Sequence, residues 1–236
     1  MLIDMHAHSS AISHCCRATV EEILEADRAV GIDGIVLTNH YLLEYVENGD
    51  AAAFARRYTD EYRHAREYGD RVGMRVFFGV EVTARQCGNA HILIYGLPPA
   101  FIEEHPEIYN YSQEQMYRTV SERGGTMIQG HPLRRGGTLL DPAFLDGIEA
   151  NCHPIYEGPC YDRLAPFAAE HGLIMTCGGD YHADSRRVRC GTRLPDFLTG
   201  GLDLARYLRE TDAIQLVLEE PDGIESYTRV YERGVK

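Results

Sequence analysis

Apolar and polar segments alternate along the chain in a pattern that predicts strands followed by helices. An apolar run at 2–6 leads into a polar loop, after which Thr19 and Glu22 have the spacing of a capping box. The helix that they predict carries an apolar stripe and ends at Gly31. The same order recurs along most of the chain, which is typical of a parallel sheet covered by helices.

The later segments extend this pattern and favour a barrel. Further strands are expected at 34–38, 76–82, 91–97, 126–129, 147–151 and 173–177, and further helices at 50–68, 112–123, 161–171 and 201–209. A Cys-Gly-Asn turn signal at 87–89 predicts a hairpin-like excursion between two of the strands. Roughly seven strand-helix units favour closure into a barrel, and no GxGxxG or P-loop pattern follows the first strand. We therefore expect one α/β domain over residues 1–236.

Composition narrows the class of function. The net charge of −13 argues against nonspecific binding of long nucleic acid, which depends on lysine and arginine. The seven cysteines lack any C-x-x-C spacing, which is typical of reduced thiols in a cytoplasmic protein. No leader pattern and no apolar run of membrane-spanning length occurs, so neither secretion nor membrane insertion is expected.

Side chains that bind metals recur where the predicted strands end. His6 and His8 are two residues apart on a strand, so both imidazoles point to the same side. Five further residues lie at or just beyond the ends of separate predicted strands: His40, Glu81, His131, Asp180 and His182. Barrel enzymes assemble their active sites at that end of the strands. The pattern predicts a metal site there, whereas four other histidines, at 64, 105, 153 and 171, are expected at the surface.

Four short motifs resemble those of the polymerase and histidinol phosphatase (PHP) family of metal-dependent phosphoesterases. They are His6-Ala7-His8, Thr38-Asn39-His40, Gly130-His131-Pro132 and Gly179-Asp180-Tyr181-His182. The motifs occur in the family's order and span most of the chain. The resemblance implies a distorted (β/α)7 barrel with the active site at the C-terminal ends of the strands and with up to three divalent metal ions.

The resemblance also implies a ligand set of nine residues. It assigns the first metal to His6, His8, Glu81 and Asp180, the second to Glu81, His91 and His131, and the third to His14, His40 and His182. Glu81, Asp180 and His182 are the expected catalytic residues. Nitrogen and oxygen donors suit zinc first, and also manganese or iron. Cys15 and Cys16 are interpreted as ordinary thiols, and Asp4 as a structural or supporting carboxylate outside the metal shell.

Arginines on the predicted active face indicate an anionic substrate. Arg17, Arg134 and Arg135 lie in loops that follow predicted ligands, and a further group at 186, 187 and 189 follows His182. A guanidinium presents paired donors that match phosphate oxygens. We therefore expect hydrolysis of a small phosphate ester by a metal-bridging hydroxide. Metal coordination lowers the pKa of bound water toward about 7, so this hydroxide can form at neutral pH.

Three alternatives remain open. The same metal site suits an amidohydrolase-type enzyme that cleaves C–N bonds, and the arginines are the feature that discriminates against it. Exonuclease action, as in polymerase-linked members of the family, disagrees with the net charge. A non-catalytic metal-bound structural or regulatory module would be expected to have lost ligands, but the predicted set is complete.

Overall fold

The strands form one mixed sheet that nearly closes into a barrel. The computed structural model describes residues 1–223 and 225–234. Its strands are β1 (Leu2–Ala7), β2 (Gly34–Leu37), β3 (His40–Tyr41), β4 (Arg75–Ala84), β5 (Ala90–Tyr95), β6 (Thr126–Gln129), β7 (Gly147–Asn151), β8 (Ile174–Gly178), β9 (Gly191–Arg193), β10 (Ala213–Leu218) and β11 (Tyr227–Glu232). Its helices are α1 (Val20–Ala29), α2 (Ala51–Val72), α3 (Ala100–Glu104), α4 (Gln113–Ser121), α5 (Tyr161–Glu170) and α6 (Gly201–Glu210).

The order of the strands brings β8 back to β1. The order is β11-β10-β9-β1-β2-β4-β5-β6-β7-β8, with the short β3 beside β4. Just after β8, Tyr181 forms a parallel bridge with Ala7 of β1. The amide of Asp180 also donates a hydrogen bond of 2.9 Å to the carbonyl of His6. The prediction of a barrel is confirmed at this level, as a mixed α/β fold with a nearly closed sheet.

Antiparallel pairs interrupt the strand-helix alternation in two places. β5 pairs antiparallel with both β4 and β6, and only the short 3₁₀ turn Arg85–Cys87 separates β4 from β5. The predicted hairpin-like excursion is therefore confirmed. At the other place, β9, β10 and β11 form an antiparallel extension beside β1, which the sequence patterns did not predict.

The helices follow the predicted signals closely. The Thr19 capping box is confirmed, because the amide of Glu22 donates to the Thr19 hydroxyl while the Glu22 carboxylate accepts from the Thr19 amide. α2 continues to Val72, beyond the predicted end at 68, and stops at Gly73 with a φ of 75°. None of the helices in the described part of the chain is both long and apolar enough to cross a membrane.

One edge of the barrel collects the candidate site. β1, β2, β4, β6, β7 and β8 have parallel neighbours, so their C-terminal ends lie at this edge. β5 runs in the opposite direction, so its first residues, including His91, lie at the same edge. The residues that the chain pattern singled out therefore converge from strands far apart in sequence.

Candidate metal centre

Eight of the nine predicted ligands form a single cluster of potential metal-binding atoms. The cluster consists of four overlapping groups, in each of which the ligand atoms lie within 4.8 Å of one another: His6/His8/Asp180, His6/Glu81/His131, His40/Glu81/His91 and His8/His40/His182. His6, His8 and Glu81 are fully buried, and Asp180 is 1% exposed. The barrel thus surrounds most of the cluster with protein.

Glu81 is the centre of the cluster. Its Oε1 lies 3.2 Å from His6 Nε2, 2.6 Å from His91 Nδ1 and 3.2 Å from His131 Nε2. Its Oε2 contacts His40 Nδ1 and lies 3.5 Å from His8 Nε2. Imidazoles therefore face both oxygens of this carboxylate. This is the arrangement expected of a carboxylate that joins two metal ions about 3.5–4 Å apart.

Strand register explains why His40 and His91 reach Glu81. His40 in β3 is the register partner of Glu81 in the parallel pair of β3 and β4. In the antiparallel pair of β4 and β5, Leu93 is opposite Glu81 and His91 is opposite Thr83. Residues two apart on a strand share a face, so His91 is a diagonal neighbour of Glu81. The hairpin therefore brings a histidine from β5 to the site.

Three histidines have one ring nitrogen fixed by a neighbouring acceptor. His6 Nδ1 lies 2.9 Å from Glu149 Oε1, and His182 Nδ1 lies 2.7 Å from the carbonyl of Asp180. His8 Nδ1 lies 3.0 Å from the Ser13 hydroxyl. If these Nδ1 atoms carry the protons, each Nε2 presents a lone pair, which is the form that binds a metal.

The buried atoms that face one another lack hydrogen-bond partners among the described residues. They are His6 Nε2, His8 Nε2, His40 Nδ1, Glu81 Oε2 and Asp180 Oδ1. A buried polar atom without a partner costs roughly 1–3 kcal/mol, and lone pairs that face each other add repulsion. Cations between these atoms would remove both costs. The donor set, imidazole nitrogen and carboxylate oxygen, therefore fits a divalent metal centre.

The charges of the cluster favour ionised carboxylates. Burial alone would raise the pKa of Glu81, but His91, His40 and His6 hold it well below the usual range. Burial likewise opposes ionisation of Asp180, whereas His6, His8 and Arg134 lower its pKa well below the ordinary value. Burial and the neighbouring His182 and His40 lower the pKa of His8. Glu81 and Asp180 are thus ionised at neutral pH and His8 is neutral. Although burial opposes protonation of His6 and His40, the same carboxylates raise the pKa of His6, together with Glu149, and Glu81 raises that of His40 to about 10, so both imidazoles would release a proton when an ion binds.

Two predicted ligands occupy strained backbone conformations. The φ angles of His131 and Asp180 are 28° and 49°, in a region that residues with a Cβ atom rarely occupy. Such positions cost about 1–3 kcal/mol each and cluster at functional sites. Gly178 precedes this turn because β1 and β8 approach closely: a Cβ there would lie 2.4 Å from the Cβ of His6. The backbone is thus shaped to present these side chains.

His14 is the one predicted ligand that the structure does not bring into the cluster. Its side chain is exposed, and its ring stacks on Tyr45 with 4.1 Å between the centroids. Its role as a ligand stays a prediction. The neighbouring Cys15 was expected to be an ordinary thiol. Partial burial opposes its ionisation, but the imidazoles of His182 and His40 lower its pKa to about 6.

Glu149 was missed by the sequence analysis. It is fully buried in β7, and its Oε2 accepts hydrogen bonds from the amide of His131 at 3.0 Å and from Asn151 at 3.2 Å. Its Oε1 faces His6. Glu149 thus orients one ligand side chain and one ligand backbone, as outer carboxylates do in histidine metal sites. The available signal was a glutamate inside an otherwise apolar strand.

Ser13 and Asn39 form a second support on the opposite side of the cluster. The Ser13 hydroxyl donates to Asn39 Oδ1 at 2.8 Å and accepts from the amide of His40 at 3.0 Å. Its oxygen also faces His8 Nδ1. Asn39 therefore fixes the rotation of the hydroxyl that orients His8. The sequence motif drew attention to Asn39 only because an aspartate often precedes the histidine in the family.

Asp4 ties β1 to the turn that follows β8. Its Oδ1 accepts hydrogen bonds from the amides of His6 at 3.0 Å and Gly179 at 2.8 Å, and its other oxygen pairs with Arg187. Asp4 is fully buried and belongs to none of the ligand groups found among the described residues. The interpretation of Asp4 as a structural carboxylate is confirmed.

The arginine loop after His131 reaches the cluster. Arg134 Nη1 contacts Asp180 Oδ2, and the Arg134 guanidinium carbon lies 3.6 Å from the ring centroid of Tyr156. Arg135 is exposed and donates to the Tyr156 hydroxyl at 3.2 Å. The Arg17 side chain is also exposed, and the Arg17 amide donates to the carbonyl of His182 at 2.9 Å. Tyr156, which the sequence analysis did not single out, holds both arginines of the loop.

Two expectations about other residues were wrong. The arginines at 186, 187 and 189 do not face the cluster: Arg187 is buried between Asp4 and Asp27, Arg186 pairs with Glu219, and the Arg189 amide donates to Glu219. The chain uses them to fix the segment between β8 and β9. His153, expected at the surface, is 1% exposed, because its loop folds under Tyr156 toward Asp184.

A cavity of about 460 Å³ adjoins the cluster. Its wall includes His91, His131, Arg134, Arg135 and the glycine-rich turn at 136–137. This volume is within the range of small-molecule sites, about 300–1,000 Å³. The cavity therefore places predicted metal ligands and both loop arginines around the same space.

Comparisons with known proteins establish the fold only. No family model matches the chain, and no curated protein matches it. Among solved structures, the protein is similar to PsfC from Pseudomonas syringae PB-5123, with a TM-score of 0.60 and 15% sequence identity over 86% of each chain. At this identity the likeness supports the barrel-like α/β fold, and the PHP resemblance stays a prediction.

Proposed function

We propose that the protein is a metal-dependent phosphoesterase that hydrolyses a small phosphate ester. One observation carries the metal half of this proposal: five buried nitrogen and oxygen atoms face one another without hydrogen-bond partners among the described residues. The eight clustered ligands would hold up to three divalent ions, with zinc first and manganese or iron as alternatives. When bound, such ions supply activated water and neutralise phosphate charge.

The protein side chains would prepare the site. Glu149 and Ser13 would keep protons on the Nδ1 atoms of His6 and His8, so that both Nε2 atoms could bind an ion. Glu81 would join ions through its two oxygens. The β8 turn, fixed by Asp4, would hold Asp180 in its strained conformation. Because these groups are already held in place, the site would need little rearrangement when substrate binds.

The phosphate half of the proposal rests on the arginine loop. Arg134 lies at the edge of the cluster against Asp180, and Arg135 lies beside it on Tyr156. A substrate phosphate at this edge would accept donors from Arg134, while its leaving group would occupy the adjoining cavity. Arg17 would contribute from the other side of His182. The cavity is small enough to favour a small substrate over long nucleic acid.

The finer form of the fold belongs to the same proposal. We infer that the barrel is a distorted (β/α)7 barrel in which the β4–β5 hairpin replaces one strand-helix unit. PHP membership and a cytoplasmic location remain proposals that rest on the four motifs and on the scattered cysteines.

The test is a substrate panel with metal-depleted and metal-reloaded protein. Aryl phosphomonoesters, aryl phosphodiesters and aryl amides are assayed with wild type, Glu81→Gln and Arg134→Ala. We expect phosphate-ester turnover that chelation and Glu81→Gln abolish. Loss of the charged donor in Arg134→Ala removes about 1.5–3 kcal/mol of binding, and kcat/KM should therefore fall about 10- to 100-fold.

Each alternative gives a different result in this panel. Turnover of amides alone, unchanged in Arg134→Ala, would overturn phosphate recognition and favour a C–N hydrolase. Full metal occupancy without turnover of any ester or amide would favour a structural or regulatory module. Turnover that persists after complete metal removal would contradict the metal-dependent mechanism.

A further inference from the structure

A second group of metal-binding atoms lies away from the histidine cluster. Cys152 follows β7, Cys177 lies in β8 and Cys190 precedes β9, and their three sulfur atoms lie within 4.8 Å of one another. All three are free thiols. They are 1%, 0% and 0% exposed, respectively. Three elements far apart in sequence thus bring three thiols to one point in the interior.

Burial alone does not account for this arrangement. Cysteine is among the most buried residue types, so a single buried thiol needs no explanation. Here, however, the sulfurs face one another: Cys152 Sγ and Cys177 Sγ are 3.6 Å apart. Thiols are weak hydrogen-bonding groups, and a thiol cluster gains little from mutual contact compared with aliphatic side chains of the same volume.

Fixed N–H donors point at two of the three sulfurs. The amide of Glu219 donates to Cys152 Sγ at 3.5 Å, and Arg187 Nη1 donates to Cys190 Sγ at 4.0 Å. Donors of this kind stabilise the thiolate, which is the form that binds metals. The third thiol, Cys177, donates to the carbonyl of Val217 at 3.3 Å. The surroundings therefore favour a thiolate at Cys152, whereas burial raises the pKa of Cys177, so that this thiol would lose its proton only when an ion binds.

We propose that Cys152, Cys177 and Cys190 form a second, buried metal site for one soft, thiophilic ion, Cu(I) in the first place. The proposal is independent of the function proposed for the histidine cluster. Among the described residues, no histidine, carboxylate or further cysteine joins these three cysteines as a fourth ligand. Structural zinc almost always takes four ligands, whereas thiolates alone select soft ions such as Cu(I). In binding, S–H bonds are replaced by S–Cu bonds and the protons pass to solvent, with no change of oxidation state.

The test is an anaerobic titration of the full chain with Cu(I) in competition with a chromophoric Cu(I) chelator, followed by X-ray absorption of the loaded protein. We expect one tightly held equivalent whose scattering shell contains sulfur only. Cys190→Ala should weaken this binding at least about tenfold, since one of three ligands is lost. Cys160→Ala, which changes a half-buried thiol outside the group, is the matched control and should bind as wild type.

The scattering shell separates this site from the histidine cluster. Copper bound through nitrogen only, or affinity that Cys190→Ala leaves unchanged in a folded protein, would overturn the proposal, as would the absence of a tight equivalent. Circular dichroism reports whether Cys190→Ala folds. If it does not, the wild-type scattering shell decides alone, because a sulfur-only shell with three scatterers requires the three-cysteine group.

Discussion

Replacing Glu149 with glutamine tests the orientation of the metal ligands. The Glu149 carboxylate accepts hydrogen bonds from the amide of His131 and from Asn151 at Oε2 and faces His6 Nδ1 with Oε1. An amide has only one acceptor oxygen. The backbone N–H of His131 cannot be moved or deprotonated, so the glutamine oxygen must occupy the Oε2 position and the NH2 group must face His6.

The consequence for His6 is a change of tautomer. The NH2 group replaces the nearer of the two acceptors of His6 Nδ1, which lies 2.9 Å from Oε1 and 3.1 Å from Oε2. This change favours the tautomer with the proton on Nε2, the atom that faces Glu81 and Asp180. Metal binding would require the proton to return to Nδ1, where it would face the glutamine NH2 group, so that two buried donors would face each other. Loss of such outer carboxylates typically weakens metal binding 10- to 100-fold, or about 1.4–2.7 kcal/mol.

The assay is competition with a chromophoric zinc chelator, together with metal content and thermal unfolding of the apo protein. Glu219→Gln is the matched control, because Glu219 is also a buried carboxylate but contacts Arg186 and the Arg189 amide instead of a predicted ligand. A folded Glu149→Gln protein that binds zinc as tightly as wild type would refute the tautomer argument.

Three further changes test other parts of the account. Asp4→Asn removes one of the two carboxylates that pair with buried Arg187, and Asp27 remains. It should lower the free energy of unfolding by about 1.5–3 kcal/mol in urea titrations, and a loss below about 0.5 kcal/mol would contradict a structural role. Gly178→Ala forces β1 and β8 apart because the new Cβ would lie 2.4 Å from His6 Cβ; it should cost about 1–3 kcal/mol, whereas Gly200→Ala, whose nearest heavy atom is 3.8 Å away, should cost less. His91→Ala should weaken zinc binding more than His14→Ala, because only His91 touches Glu81, and equal losses would show that the His14 loop closes over bound metal.

Features that depend on one strand or one turn could be predicted from the sequence. The capping box at Thr19, the strand that carries His6 and the turn after β4 are each encoded within a few residues. Placement of ligands at strand ends follows from the same local patterns, because parallel strands end at one edge of the sheet. His91 was also predicted, through the family resemblance, although its contact with Glu81 depends on the register of the hairpin.

Features that depend on distant packing could not be predicted. β9, β10 and β11 join the barrel through the pair of β9 with β1, a strand at the other end of the chain. Glu149 looks like a poorly placed charge until β1 and β6 bring His6 and His131 to it. His153 is buried by a loop whose path the local sequence does not determine. In each case the missing information is a contact between segments far apart in the chain.

The most direct test of the metal centre is anomalous diffraction from crystals grown with zinc. We expect anomalous peaks within coordination distance of Glu81 and Asp180, bounded by His6, His8, His40, His91, His131 and His182, with Glu81 shared between two ions. Peaks confined to other parts of the molecule, with the buried carboxylates and imidazoles still facing one another directly, would contradict it.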